Sequence, residues 1–248
     1  MSELGLAVKR DGIGQLEGVA DIVPELCVNN DVVRASVLAA WADILTGLLA
    51  VDVVGPRVPV TLQLDLDLYR PPVGLRRVVM TAKQVKAGKT VFVAGVDFAD
   101  DEGDLFGAAT GLFVVSPDPG LRMATDENPV DFVAGMGNVE SLTLSEPFAD
   151  RVGCVRGGAG EAILPLREDS LNASHTLNGG LIALVVEEAA RSVLAESSLS
   201  MLALRYLKPV RIGPAVATAQ AHGKVAKVSV RDDGRSGALA VSATARPF

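Results

Sequence analysis

The sequence predicts an α+β chain in which one unit, a long apolar helix followed by antiparallel strands, is stated twice. Arg34-Ala-Ser-Val-Leu-Ala-Ala-Trp-Ala-Asp43 and Asn178-Gly-Gly-Leu-Ile-Ala-Leu-Val-Val-Glu187 both run through apolar residues to an acid, and both ends of the two segments lie 144 residues apart. Each run leads into an alternating strand that closes on a basic residue and proline, Leu68-Tyr-Arg-Pro71 and Tyr206-Leu-Lys-Pro209. A repeat of this kind sets the architecture, because each copy must bury its own apolar helix against its own strands.

The elements follow in order. Gln15 to Ile22 reads as a strand, Pro24 as a turn, and Asn29-Asn30-Asp31 as a loop in which Asp31 or Asn30 is placed to cap the first helix. Strand patterns then cover Val58 to Leu68, Arg76 to Val85, Thr90 to Phe98 and Leu105 to Val115, punctuated by Lys86-Ala-Gly88-Lys89 and Asp100-Asp-Glu-Gly103. Ser116-Pro-Asp-Pro-Gly120 breaks the pattern. The order resumes with Ala159 to Leu166, a loop from Asn172 to Asn178, a helix to about Ala195, and strands near 200–208, 214–222, 224–231 and 237–246. The expected organisation is a first repeat over 12–116, a linker over 117–150 and a second repeat over 151–248.

Composition restricts the function classes. With 248 residues and 49% of them hydrophobic, the chain can bury two cores of about a hundred residues each, as a soluble globular protein. Ala35 to Val51 approaches the length of a membrane span, but Asp43 interrupts it, so no membrane association is expected. Met1-Ser-Glu-Leu-Gly lacks the pattern of a signal peptide, and Cys27 and Cys154 form neither a disulfide framework nor a metal-ligand spacing, so a cytoplasmic location is expected. A net charge of −7 without a dense basic cluster argues against nucleic acid as a partner, and two histidines exclude a His-rich metal site.

The chemistry is carried by the helix acids. Asp43 is the only charged residue between Arg34 and Asp52, in a helix apolar nearly all round. A carboxylate in such surroundings either finds backbone partners and serves the fold, or has its proton affinity set by burial for catalysis. Nine residues separate Asn178 from Glu187, roughly 13 Å of helix at ~1.5 Å per residue, so neither acid can reach the start of its own helix. If the two helices pack antiparallel or crossed, each acid can approach the other's N-terminus. There the free amides at Gly179-Gly180 suit a polarised carbonyl or an oxyanion, although Asn178-Gly-Gly also reads as an ordinary capped helix start.

Asn172, then Asn178-Gly-Gly, then an acid nine positions on resembles the Asn…His-Gly-Gly…Asp pattern of hot-dog fold acyl-CoA thioesterases of the phenylacetate-pathway type. Val60-Thr61-Leu-Gln-Leu-Asp-Leu-Asp-Leu-Tyr-Arg-Pro71 is similar to the strand that follows the family's helix, and Asp232-Asp-Gly234 with Leu239 to Thr244 to its closing hairpin. The resemblance covers about 15–115 and 155–247 and implies two tandem hot dogs, each a central helix wrapped by an antiparallel sheet, forming in one chain the pair that such enzymes usually form as a dimer.

The resemblance also implies a composite site with Asp43 and Thr61 from one repeat and Asn172, Asn178 and Gly179 from the other. The reciprocal site pairs Glu187 with Val28, Arg34 and Ala35, where the family has Asn, His and Gly, and so is expected to be degraded. Asn178 replaces the usual His, and asparagine cannot titrate near neutrality. The implied reaction is hydrolysis of an acyl-CoA without metal or cofactor, Asp43 acting as general base or nucleophile, Gly179 holding the oxyanion and Asn172 orienting water or acid. Val37, Leu38, Trp41, Leu184 and Val185 read as core or as walls for an acyl chain; Lys86, Lys89, Lys224 and Lys227 as solvated lysines or phosphate contacts. A hot-dog hydratase or dehydratase is the less favoured alternative, since His175 precedes the helix rather than standing at the motif position, and a non-catalytic acyl-CoA binder is the third. Exposed sheet edges make a homo-oligomer the expected assembly.

Overall fold

The computed structural model describes residues 2–29, 31–123, 144–172 and 174–248. The first half holds β1 (Ala7–Gly12), β2 (Gln15–Asp21), the short pair β3 (Cys27–Val28) and β4 (Val32–Val33), helix α1 (Ala35–Val54), β5 (Pro59–Leu68), β6 (Arg77–Ala87), β7 (Val91–Ala99) and β8 (Leu105–Val115). The second holds the single turn α2 (Phe148–Arg151), β9 (Val155–Arg156), β10 (Glu161–Leu164), helix α3 (Gly179–Val193), β11 (Leu199–Tyr206), β12 (Ala215–His222), β13 (Val225–Asp232) and β14 (Ala238–Pro247). Most of the expected linker, 124–143, lies outside the described residues.

Twelve strands form one antiparallel sheet in the order β1-β2-β6-β7-β8-β5-β11-β14-β13-β12-β10-β9. The two halves of that order are images of each other, and β5 against β11 is the seam, with Leu64 opposite Leu204 and Leu66 opposite Leu202. Strand alternation turns Leu64, Leu66, Leu68, Leu202 and Leu204 toward the helices, where all five are buried. Around α1 the sheet contributes Phe92, Phe98, Phe106 and Phe113 against Leu38, Trp41, Leu45 and Leu49. Full burial of each large side chain of this kind stabilises the fold by about 1.5–3 kcal/mol. The contact is close: a Cβ added at Gly111 of β8 would stand 2.7 Å from Thr46 Oγ1 of α1. With 20 residues and a mean hydropathy of 1.9, α1 is long and apolar enough to cross a membrane, yet here it lies inside a wrapped sheet and against α3.

One expectation is corrected. The first helix is capped neither by Asp31, which lies upstream, nor by Asn30, which is outside the described residues. Its N-cap is Arg34, whose side chain makes no capping bond. The missing acceptor comes from Glu187 of the other repeat, which receives the Ala35 and Ser36 amides. A cap supplied over 150 residues away leaves no local pattern in the sequence.

A second tie holds the loop after β11. Asp232, 1% exposed, accepts from the backbone N–H groups of Arg211 (2.8 Å), Ile212 (3.3 Å) and Gly213 (2.7 Å). Burial alone would raise its proton affinity; the three amide bonds outweigh that and hold the carboxyl below its ordinary range. The same loop offers the Val210 carbonyl to the Leu177 amide, so it also steadies the residues that start α3. Asp232→Ala is expected to lower unfolding free energy by roughly 2–4 kcal/mol in equilibrium urea unfolding. A change under about 0.5 kcal/mol, typical of surface substitutions, would show that the loop does not depend on this carboxylate.

Candidate active site

Helices α1 and α3 pack against each other beneath the seam, and each carries its acid to the start of the other. Asp43 Oδ1 accepts a 2.9 Å hydrogen bond from Thr61 Oγ1. Thr61 flanks a bulge in β5, where the register against β8 shifts between Thr61 and Gln63, a distortion that re-aims side chains. The other carboxylate oxygen lies against the first residue of α3: a Cβ added at Gly179 would stand 2.8 Å from Asp43 Oδ2, so any side chain there would displace the acid. Asn178 is the N-cap, its Oδ1 accepting from Gly180 N at 2.9 Å. Gly179 N donates no hydrogen bond among the described residues. On the carbonyl side, Tyr206 Oη at the end of β11 donates to Gly179 O at 3.1 Å.

Burial pushes the Asp43 carboxyl up from 3.8 to about 6, with the Thr61 hydroxyl opposing part of the rise. Carrying the ionised acid at neutral pH therefore costs the fold about 3 kcal/mol. Tyr206 is pushed well above its ordinary value by burial first and by the Asp43 charge second, so its hydroxyl stays protonated and available as a donor.

The reciprocal position is built from similar parts and is closed. Glu187, 1% exposed, accepts from Ala35 N at 3.0 Å, Ser36 N at 3.4 Å and Ser36 Oγ at 2.5 Å. Ala35 stands 144 residues before Gly179, and the glutamate, one methylene longer than aspartate, bonds the amide there, as Asp43 does not at Gly179. Arg34 completes the closure, 3.6 Å from Glu187 and 2.5 Å from Glu188, which Arg156 also meets at 2.6 Å. Burial disfavours the charge on Arg34, but the two glutamates outweigh it and keep the guanidinium charged. Val28 is a buried residue of β3.

The bulges give a second measure of the asymmetry. β11 shifts register against β14 between Leu199 and Met201, 138 residues after the matching shift in β5. That register places Leu199 where the first repeat has Thr61, and Leu68 where the second has Tyr206. The strand positions that carry hydroxyls in the first site are thus leucines at the matching positions of the second.

Residues 31–106 match a family model described as the thioesterase superfamily. The chain has the fold of a double hot dog, and the match to that superfamily lies within its first repeat. The double hot dog is similar to the solved structure of 12:0-ACP thioesterase from Umbellularia californica, with a TM-score of 0.68 and 15% identity over 97% of this chain and 100% of that one. A putative oleoyl thioesterase from Lactobacillus plantarum gives a TM-score of 0.64 at 13% identity, covering 96% and 98% of the two chains. The tesB protein from Mycobacterium avium subs paratuberculosis gives 0.59 at 14%, covering 97% and 94%. Among curated proteins, none matches the sequence.

Of the residues singled out in the sequence, the double hot dog brings together Asp43, Thr61, Asn178 and Gly179. Asn172 is turned to its own loop, its Oδ1 accepting from Ser174 N, Thr176 N and Thr176 Oγ1. His175 is exposed on that loop. Val37, Leu38, Trp41, Leu184 and Val185 are fully buried core, and Lys86, Lys89, Lys224 and Lys227 are exposed near hairpin ends. Tyr206 was not singled out for the site. The pattern Tyr-x-x-Pro beside Tyr-x-Pro invites matching it with Tyr69, which is 64% exposed, whereas the alternation through Leu202 and Leu204 would have turned it inward.

The two acids therefore have opposite stability signs. The raised proton affinity of Asp43 favours the fold fully below about pH 4, and that contribution is lost as pH rises through about 6. Asp43→Asn is expected to stabilise the protein at pH 7.5 by about 1–3 kcal/mol, less at pH 5, while Glu187→Gln destabilises it by about 3 kcal/mol by leaving Arg34 underpaired. Urea unfolding of the three proteins at both pH values checks this, and a loss of stability in Asp43→Asn at pH 7.5 would contradict it.

Proposed function

We propose that the chain hydrolyses acyl-CoA thioesters at one composite site, in which Asp43 activates water and the Gly179 amide receives the oxyanion. The observation that carries this reading is a partly buried carboxylate, held by Thr61, against a helix N-terminus whose first amide is unused. The superfamily match over the first repeat supports acyl thioester hydrolysis in general terms.

The thioester carbonyl oxygen lies at Gly179 N–H, where the positive end of α3 favours developing negative charge. Ionised Asp43 takes a proton from water as the water oxygen bonds the carbonyl carbon. Thr61 keeps one carboxylate oxygen engaged, so the other is directed to the substrate side. Collapse of the tetrahedral intermediate breaks the carbon–sulfur bond, and the proton on Asp43 passes to the departing CoA sulfur. The products are a free acid and CoA thiol. Asn178 takes no part in proton transfer, because its side-chain oxygen accepts from the Gly180 amide. A carboxyl near pKa 6 suits a base that must be ionised at neutral pH yet hold a proton transiently.

Thiol release from short, medium, long and aromatic acyl-CoAs tests the reading. Asp43→Asn is expected to lower kcat by about 10²–10⁴-fold on the best substrate, the range for loss of a general base. With the wild type, kcat/KM should rise through about pH 6 to a plateau, as the free-enzyme carboxyl ionises. Turnover lost in Glu187→Gln but kept in Asp43→Asn would move the chemistry to the other helix. No turnover by the folded wild type on any of the thioesters would make the protein a binder rather than a hydrolase.

A further inference from the structure

The peptide unit joining Gly179 to Gly180 is held at both poles. Its carbonyl accepts from Tyr206 Oη at 3.1 Å, and its N–H donates to Asn178 Oδ1 at 2.9 Å. That plane meets the one bearing the Gly179 N–H, the amide that no described residue uses, at the Gly179 Cα, so holding it limits how the first residue of α3 can shift. Glycine gives this corner no side chain to resist such a shift, and the space a Cβ would occupy is taken by Asp43 Oδ2, 2.8 Å away, and Tyr206 Oη, 3.3 Å away.

The closed site shows what the same corner needs without a tyrosine. There the matching strand position is Leu68, which cannot donate, and the carboxylate of Glu187 itself binds Ala35 N and Ser36 N. The helix start is fixed in that case by occupying its amides. At Gly179 it must be fixed while an amide stays open.

We propose that Tyr206 is a positioning residue for hydrolysis, clamping the Gly179 carbonyl so that the Gly179 N–H faces the thioester carbonyl. This rests on the reading of the site as a hydrolase. Tyr206 touches the helix backbone rather than the reacting atoms, so its removal acts on the transition state more than on substrate binding. Misplacing an oxyanion donor costs up to about a hundredfold in rate.

The test is Tyr206→Phe, which keeps the ring and deletes the hydroxyl. On the best acyl-CoA, kcat is expected to fall about 10- to 100-fold with KM within about threefold of wild type, the signature of an interaction that matters in the transition state. In the ¹⁵N-labelled protein, the Gly179 and Gly180 amide resonances should move while resonances of β6 and β7 stay in place, which separates a local reorientation from general loosening. Unchanged kcat, or a loss carried by KM alone, would overturn the role of Tyr206 while leaving the hydrolase reading intact. A wild type that turns over no acyl thioester would overturn the hydrolase reading, and this role with it.

Discussion

The structure depends on the crossing of two helix acids beneath the β5–β11 seam. The first helix has no capping side chain of its own and takes Glu187 of the second as acceptor, whereas the second is capped by its own Asn178 and meets Asp43, held by Thr61, at Gly179. At Glu187 the exchange is complete, with a carboxylate on two backbone amides and a charged Arg34 beside it. At Asp43 it is left one methylene short. The same geometry therefore yields a structural clamp on one side and an open donor beside a raised-pKa carboxyl on the other.

That asymmetry is distributed over the fold rather than confined to the acids. The strands that flank the two corners differ at matched register positions, Thr61 against Leu199 and Tyr206 against Leu68. Strand hydroxyls stand beside Asp43, whereas Glu187 takes its hydroxyl from Ser36 of the facing helix and lies beside Arg34. Burial raises the Asp43 carboxyl toward neutrality, while the cations around Glu188, next to Glu187, outweigh burial and lower that group. The stability that ionised Asp43 costs is offset by a core in which α1 is wrapped by the aromatic and aliphatic faces of β6, β7 and β8.

Much of this was legible in the sequence. The apolar runs with a lone acid, their 144-residue spacing and the alternating strands gave the two long helices and the strands that follow them to within a few residues, because each pattern reports burial local to its own segment, whereas β1 and the two-residue strands were not read. Helix length kept each acid from the start of its own helix, and the family resemblance paired Asp43 with the Gly179 corner. Tyr206 escaped because sequence similarity between the two Tyr-containing strand ends pairs it with the exposed Tyr69, although alternation through Leu202 and Leu204 turns it inward. The first helix cap escaped because its acceptor, Glu187, comes from the other repeat. Asn172 was read as a catalytic contact from the family pattern; in the structure its side-chain oxygen is used by Ser174 and Thr176 within its own loop.

One open corner and one closed corner predict a count. Titration calorimetry with a non-hydrolysable acyl-CoA analogue, its thioester sulfur separated from the carbonyl by a methylene, should give one binding site per chain. Two sites per chain would show that Glu187 gives up the Ala35 and Ser36 amides to substrate, and would contradict the account of a single working site.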